Sequence, residues 1–506
     1  MPAARPRAST ARTTRTTPEE RRVHRFQTRV AVCAGGGEVC DGWILGVVGT
    51  ALPLARADLA LTSLQTGLIG AATLVGIFFG GIVFGRLTDR FGRQKMYLFD
   101  LLVFLVGSVL QLAVDDALQL FAVRLLMGVA VGADYAIAGA LVAEFAPPER
   151  RGRLLASLIA FWYVGYTLAA AVGMALASWS TDPTVWRWIL ASSAVPSLVV
   201  LVARLGTPES PHWLASKGRY AEADAISRRW LGTPHDGTDH DGTDHDGTGT
   251  GHDGTGRHGT DNAGKGAHRT PADQTQAAPA GADRTSAALT GLAALFARPY
   301  RRMTAFTSLF WLCQITPFFA ISTFAPQVLA SLGAGDDGTG EVALNLFLLL
   351  GCVSGVLLMD RVGRRPLLVH PFLVTAAALL ALGLWPHGPQ WAIAGCFAVF
   401  ALFHAASSTL QAVYPSEVFP TEIRATGIGF AAATSRIGGA VGTFLVPLGL
   451  EKWGVSAVVL CGCALSLVGA LVSVAWAPET SGLSLSRSSA PYDMPPRDPS
   501  EENQPA

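Results

Sequence analysis

The sequence predicts an all-α membrane protein in which twelve transmembrane helices form two pseudo-symmetric six-helix bundles. Three observations predict it. Half of the 506 residues are hydrophobic and 15 % are charged, against about 25 % charged in an ordinary soluble chain, so polar side chains cannot cover the surface. Apolar runs of about 20 residues recur along the chain, each long enough to cross a hydrocarbon core. Basic residues gather in every second gap between those runs.

The runs fall at 30–54, 65–85, 96–114, 118–142, 154–178, 187–205, 303–330, 342–359, 367–386, 391–413, 425–448 and 455–477. The first is too long for a signal-peptide core and lacks a small-residue cleavage site at its end, so it reads as a span that stays. Residues 1–29, with eight arginines, read as a disordered tail. The gaps at 85–95, 149–153, 206–302, 360–365 and 422–424 are basic, while the alternate gaps hold Asp58, Asp115, Asp116, Asp182, Asp336, Asp337 and Glu341. That alternation places both termini in the cytoplasm.

The chain then divides into the tail 1–29, an N-terminal bundle 30–205, a cytoplasmic loop 206–302, a C-terminal bundle 303–477 and a disordered cytoplasmic tail 478–506. Within the loop, 232–284 is a low-complexity insert holding six of the eleven histidines, interleaved with Asp. It has almost no large apolar residues and cannot bury a core. Weak Zn²⁺ or Ni²⁺ binding there is chemically allowed; the composition reads first as an expanded linker. The net charge of +1 offers no field for nucleic acid. The seven cysteines all lie in apolar runs, without disulfide or zinc spacing. The partners implied are the lipid bilayer and a small-molecule substrate, with the chain a monomer. Short loops rich in Arg, Ala and Gly read as a bacterial plasma-membrane protein.

Two charged clusters interrupt this pattern. "GRLTDRFGR" at 85–93 follows the second run, and "DRVGRRP" at 360–366 follows the eighth. Positive-inside anchoring explains the arginines but not the placed Gly and Asp. "G-x-L-x-D-R-x-G-R" resembles the signature loop of the major facilitator superfamily. "RLLMGVAVG" (124–132), "AEFAPPERRGR" (143–153), "PESPHWLASKGRYAEA" (208–223), "YPSEVFPTEIRATG" (414–427) and "APETSG" (477–482) resemble its sugar-porter branch and the allied metabolite:proton symporters. The resemblance implies an alternating-access carrier. It also implies a cytoplasmic gate of inter-helix ion pairs at the matching positions: Gly85, Asp89, Arg93, Glu144, Arg151, Asp360, Gly363, Arg364, Glu417 and Arg424. Each wet pair is worth only about 0–1 kcal/mol, which suits a latch that must open easily.

Ionisable residues inside a span are costly and point to function. The first run holds Glu38 and Asp41, three apart and so on one helix face. The fourth holds Arg124 and Asp134, and the eleventh Arg436. Asp41 and Arg124 match the acid–arginine pair of proton-coupled sugar porters, which implies Asp41 as proton carrier, with Glu38 and Asp134 as rivals. A purely structural role for these acids is the plainer alternative. No cofactor is implied beyond the coupling proton, and no nucleophile–base set or metal spacing points to an enzyme.

The branch's sugar contacts are mostly absent. "LIAFWYVGYTL" lacks its paired glutamines, only Gln314 survives in the seventh run, and Phe319 and Ala412 stand where Asn and Trp are expected. Arg436 with Tyr135, Trp162, Tyr163, Trp311 and Gln314 forms the expected substrate set, and a buried arginine with aromatic walls suits a carboxylate. Arg436 could equally serve as a structural partner of Asp134 or Glu38. The leading expectation is proton-coupled import of a small organic acid or related metabolite. A sugar or polyol symporter, an efflux antiporter and a non-transporting nutrient sensor are the alternatives.

Overall fold

The computed structural model describes residues 18–145, 151–205, 207–230, 292–331, 339–420 and 423–481. The linker 232–284 lies outside them. All regular structure among the described residues is helical. The N-terminal half comprises α1 (Pro18–Asp58), α2 (Ser63–Phe91), α3 (Arg93–Leu110), α4 (Ala117–Phe145), α5 (Arg151–Trp179), α6 (Val185–Ala191) and α7 (Ala194–Arg204). Three short helices follow: α8 (Pro211–Ser216), α9 (Tyr220–Trp230) and α10 (Leu292–Leu295). The C-terminal half comprises α11 (Arg301–Thr323), α12 (Ala325–Ser331), α13 (Thr339–Val362), α14 (Arg364–Leu384), α15 (Gln390–Ser408), α16 (Leu410–Val418) and α17 (Arg424–Trp476).

Eleven stretches are long and apolar enough to cross a membrane, and the last, Thr426–Trp476, is two crossings run together. Fifty-three helical residues would measure about 80 Å, more than twice a bilayer core. The chain breaks at Gly454, with φ 79° and ψ 174°. Gly438 before the break and Gly462 after it both lie against α11 beside Thr316 and Pro317, so the chain doubles back and the crossings number twelve.

The two halves repeat one packing device. Gly76 and Gly80 on α2 lie against the backbone carbonyls of Leu125 and Val129 on α4. Gly351 and Gly355 on α13 lie in the same way against Leu402 and Ala406. Small residues four apart let backbones approach where lipid offers no hydrophobic drive between helices.

Three expectations need correction, on the N-terminal tail, the C-terminal tail and Glu341, and the cytoplasmic loop gains detail. The tail is helical from Pro18 rather than disordered to residue 29. Pro at the first helical position and Glu19 and Glu20 in the first turn are helix-starting signals that outweigh the arginine-rich composition. The basic loop carries α8, capped by Ser210, whose side chain accepts from the Trp213 N–H at 3.2 Å. The first residues of the C-terminal tail are docked: Tyr414 donates to the Pro478 carbonyl at 2.8 Å. Finally, Glu341 is not a loop acid but lies in the first turn of α13, buried.

The halves meet closely at the end away from the basic motifs. There Thr50 on α1 donates to Glu341 at 3.2 Å, and Thr167 on α5 donates to the Asn345 carbonyl at 3.0 Å.

Candidate functional site

The interior of the N-terminal half is built around α1. Glu38 and Asp41 are both buried. Gly42 lets the α1 backbone touch the Trp162 carbonyl on α5, and Gly165 on α5 does the same against Val39. Gly37 makes room on another side, where a side chain would strike the hydroxyl of Tyr97 and Oδ2 of Asp134. Thus α3 and α4 bring Tyr97 and Asp134 against α1. Asp100, three residues beyond Tyr97, is also buried and accepts from the Leu101 N–H at 2.6 Å. Arg204, at the end of α7, lies over the Tyr97 ring with Cζ 3.0 Å from its centroid and donates to the Cys33 carbonyl at 3.3 Å.

A charge count gives this cluster its chemistry. Four buried carboxyls (Glu38, Asp41, Asp100 and Asp134) face two guanidiniums, those of Arg204 and Arg436. Fully ionised, the set would carry four negative charges against two positive ones, and an uncompensated buried ion costs several kcal/mol. One oxygen each of Glu38 and Asp100 meets no donor, and Asp41 and Asp134 have only each other and the Tyr97 hydroxyl beside Asp134. Bound protons would supply the missing donors and the missing charge together.

The structure does not bring Asp41 and Arg124 together. Arg124 lies almost three turns from Asp134 on α4, toward the end where the halves meet. Its Nη2 donates to the Ile44 carbonyl at 2.8 Å, while Nε and Nη1 find no acceptor. The void beside it, about 10 Å³ and lined by Val48, Leu52 and Leu120, holds at most one water.

The C-terminal half contributes Arg436 from α17. Its Cζ lies 4.9 Å from the ring centroid of Tyr135 on α4, and its charge faces Glu38 across the interface. Its Nε, buried, has no acceptor, and neither does the indole N–H of Trp311; the indole N–H of Trp162 lies toward the Tyr135 hydroxyl. Trp162 stacks on Tyr166 at 5.0 Å and meets Tyr163 edge-on at 5.1 Å. Phe318 and Phe319 from α11 close on the same ring, at 5.9 and 6.2 Å. The phenylalanine standing where the sugar-porter pattern expects asparagine is therefore part of an aromatic seam between the halves. Trp311 is buried on α11. Gln314 is held within its own half: it donates to Ser407 at 2.7 Å and accepts from Gln411 at 2.9 Å.

Of the gate positions, the side chains of Gly85, Asp89, Glu144, Arg151 and Asp360 lie outside the described residues. Arg364 pairs with Glu417 at 3.3 Å and also donates to Ser481 at 3.3 Å. Thr480 donates to the other oxygen of Glu417. Arg424 donates to the Phe419 carbonyl at 3.0 Å. Beside Arg93 the structure supplies a residue that the sequence pattern does not single out. Glu209 accepts from the N–H groups of Arg93 and Gln94, at 2.9 and 3.1 Å, and so caps α3. Glu479 caps α14 in the same way, accepting from Arg364 and Arg365 at 3.0 Å each. Gly92 (φ 103°) and Gly363 (φ 92°) make both turns and leave room for the carboxylate. A carboxylate on a helix N-terminus is favoured by the dipole and the free N–H groups. Partial burial works to raise the Glu479 carboxyl. The N–H groups of Ser481, Arg364 and Arg365, with the Arg364 charge, outweigh it and hold the carboxyl below the usual range.

Tyr97, Asp100, Arg204 and Glu341 also escape a reading by sequence. Asp100 had a plain signal, an acid inside "MYLFDLLVFLV". Arg204 and Glu341 sit at the edges of their runs, where hydropathy cannot separate a loop charge from a buried one.

Two six-helix repeats joined around a buried charged centre define the class: a membrane carrier with its site between pseudo-symmetric halves. The family model described as "Major Facilitator Superfamily" matches residues 35–443 and 346–493. The inner membrane metabolite transport protein YgcS of Escherichia coli is 35 % identical over 463 residues, which cover 92 % of this chain and 94 % of that protein. The major myo-inositol transporter IolT of Bacillus subtilis is 25 % identical over 474 residues, covering 91 % and 93 %. A partially occluded, inward-open structure of the E. coli xylose transporter XylE aligns with a TM-score of 0.70 at 19 % identity, covering 91 % of this chain and all of that one. The chain belongs to the major facilitator superfamily. It is a multi-pass membrane transporter of small molecules and not an enzyme.

Proposed function

We propose that this carrier imports a small organic acid or related metabolite together with protons, working as a monomer in the bacterial plasma membrane. The basic ends of the helices and both termini then face the cytoplasm. One observation carries the reading: Arg436 of the C-terminal half faces a carboxyl cluster of the N-terminal half that is two charges short of neutrality. Protons on Asp41 and Asp134 compensate that deficit, and a solute carboxylate accepts from the unused Nε–H of Arg436. Proton and solute then act on one electrostatic balance, which is what coupling requires.

The relationship to YgcS supports a metabolite as cargo. A sugar or polyol is the second reading. It is favoured by the amide–hydroxyl chain Gln411–Gln314–Ser407, which can hold hydroxyl groups, and by the relationship to IolT.

The test is a screen in liposomes containing a pH dye, challenged with pooled solutes. Acidification driven by an organic-acid pool, and lost in Arg436→Ala, is the expected result. Acidification by sugar or polyol pools alone would transfer the assignment to the second reading. Solute exchange with no proton entry would remove the coupling.

A further inference from the structure

Glu341 lies far from the carboxyl cluster, near the end where the two halves are closed on each other. It is 5 % exposed, in a seam made by both halves. From α1, Thr50 donates to Oε2 at 3.2 Å, and Gly49 leaves space for Oε1, which any side chain there would strike. From α5, Tyr166 faces it; Ser322 on α11 lies beside Tyr166 and the same seam. On α13 itself, Asn345 stands one turn away. Among the described residues of these elements, Tyr166 is the only titratable group facing Glu341, and no Lys, Arg or His does so.

The seam is short of donors. Apart from Thr50, nothing described donates to the carboxyl, and the side-chain oxygen of Asn345 is also without a donor. An ionised carboxylate here would be a buried charge with no counter-charge, an arrangement costing several kcal/mol. A neutral carboxyl fits, because its O–H is itself a donor. When the halves part at this end, Glu341 meets water and its charge is solvated at no such cost. The ionised form therefore belongs to the open seam and the neutral form to the closed one.

We propose that Glu341 is a second proton-binding site, loaded from the solution at that end as the halves close. That the solution is the outer one rests on the proposed orientation; the site does not. Closing takes one proton from water onto a carboxylate oxygen, and opening returns it. The site differs from the Asp41 cluster in place and in role. It sets when the carrier can close, rather than what moves with the solute.

The test uses the full chain in nanodiscs, where both faces share one pH. Spin labels are placed at Trp179→Cys and Trp391→Cys, exposed positions at that end in different halves (90 % and 76 % exposed), with exposed Cys461 replaced by Ser. One linked proton changes the ratio of closed to open molecules by up to about tenfold per pH unit. Between pH 8.5 and 5.5 the short-distance population should grow in the wild type. In Glu341→Gln, which is permanently neutral, it should be large throughout, and the pH slope should fall by about one proton. Glu341→Asp keeps a titratable group and should keep a slope. An unchanged slope in Glu341→Gln, or a wild-type distance that ignores pH, overturns the proposal. Should Glu341→Gln fail to assemble, wild type and Glu341→Asp still decide, since a flat response in both defeats it. Because no solute or proton flux is measured, failure here is distinct from failure of the coupled-import reading.

Discussion

The two halves share a scaffold and differ in what they bury. Both carry the glycine pairs that draw helices together, the positive-φ glycine at the motif turn, and a glutamate from a distant motif capping the next helix. In their interiors the likeness ends. The N-terminal half buries Glu38, Asp41, Asp100, Asp134 and Arg204 around Tyr97. The C-terminal half buries amide and hydroxyl groups, with His404 stacked on Phe318 at 5.2 Å, and sends Arg436 toward the carboxyl cluster and Glu341 to Thr50 across the interface. The difference teaches a division of labour. On the proposed reading, the N-terminal half holds the protons that move with solute, the C-terminal half holds the solute, and Arg436 couples them; the Glu341 proton governs closure and stands outside this division.

The largest expected effect comes from the residue that joins the halves. Arg436→Ala should lower solute uptake by about 30- to 4,000-fold, since truncating one partner of a buried charged contact costs about 2–5 kcal/mol. Arg436→Lys should recover only part, because a point charge does not replace a planar fork. Tracer uptake across a range of solute concentrations reads both. Gln314→Ala should act within the C-terminal half alone. It should raise KM by about three- to tenfold, the weight of a neutral hydrogen bond or two. Its proton-to-solute ratio should equal that of the wild type, and a changed ratio would blur the division between the halves.

The smallest effects test the likeness rather than the difference. Glu209→Gln and Glu479→Gln should each lower the melting temperature by about 1–3 °C and by similar amounts, as equivalent caps should. The Glu479 effect should depend on acid in one direction only. Its carboxyl is held below the usual range in the folded protein, so its contribution is fully present above the ordinary glutamate value of about 4.3 and fades as pH falls through the lower folded value. The melting difference between wild type and Glu479→Gln should therefore be constant from about pH 8 to 5 and shrink only in stronger acid. A melting series in buffers across that range checks it.

Much of the fold was legible because lipid imposes a strong rule: apolar runs of fixed length, with basic residues on one side. The boundaries that failed were those set by neighbours rather than by hydropathy. The division between the runs at 425–448 and 455–477 was not among them: the gap holds Glu451 and Lys452, and the break falls inside it at Gly454. Glu341 follows Asp336 and Asp337, so it reads as the last residue of an acidic loop; only packing against Gly49 and Thr50 makes it interior. At the site, Glu38, Asp41, Asp134 and Arg436 were legible because charge in a span is conspicuous. The pairing of Asp41 with Arg124 rested on a resemblance. In this structure Arg124 reaches the Ile44 carbonyl instead. Glu209 and Glu479 stand in recognisable motifs, but their capping role depends on helices that begin more than 100 residues earlier in the chain.

The measurement that tests the division of labour most directly compares two fluxes in one variant, Asp41→Asn, reconstituted in liposomes. The account predicts that solute-driven proton entry is lost while exchange of labelled for unlabelled solute continues, because the C-terminal half still binds and the halves still rock. Loss of exchange together with proton entry, in protein that remains folded, would mean that Asp41 serves the solute or the scaffold. Undiminished proton entry would show that the coupling proton travels elsewhere.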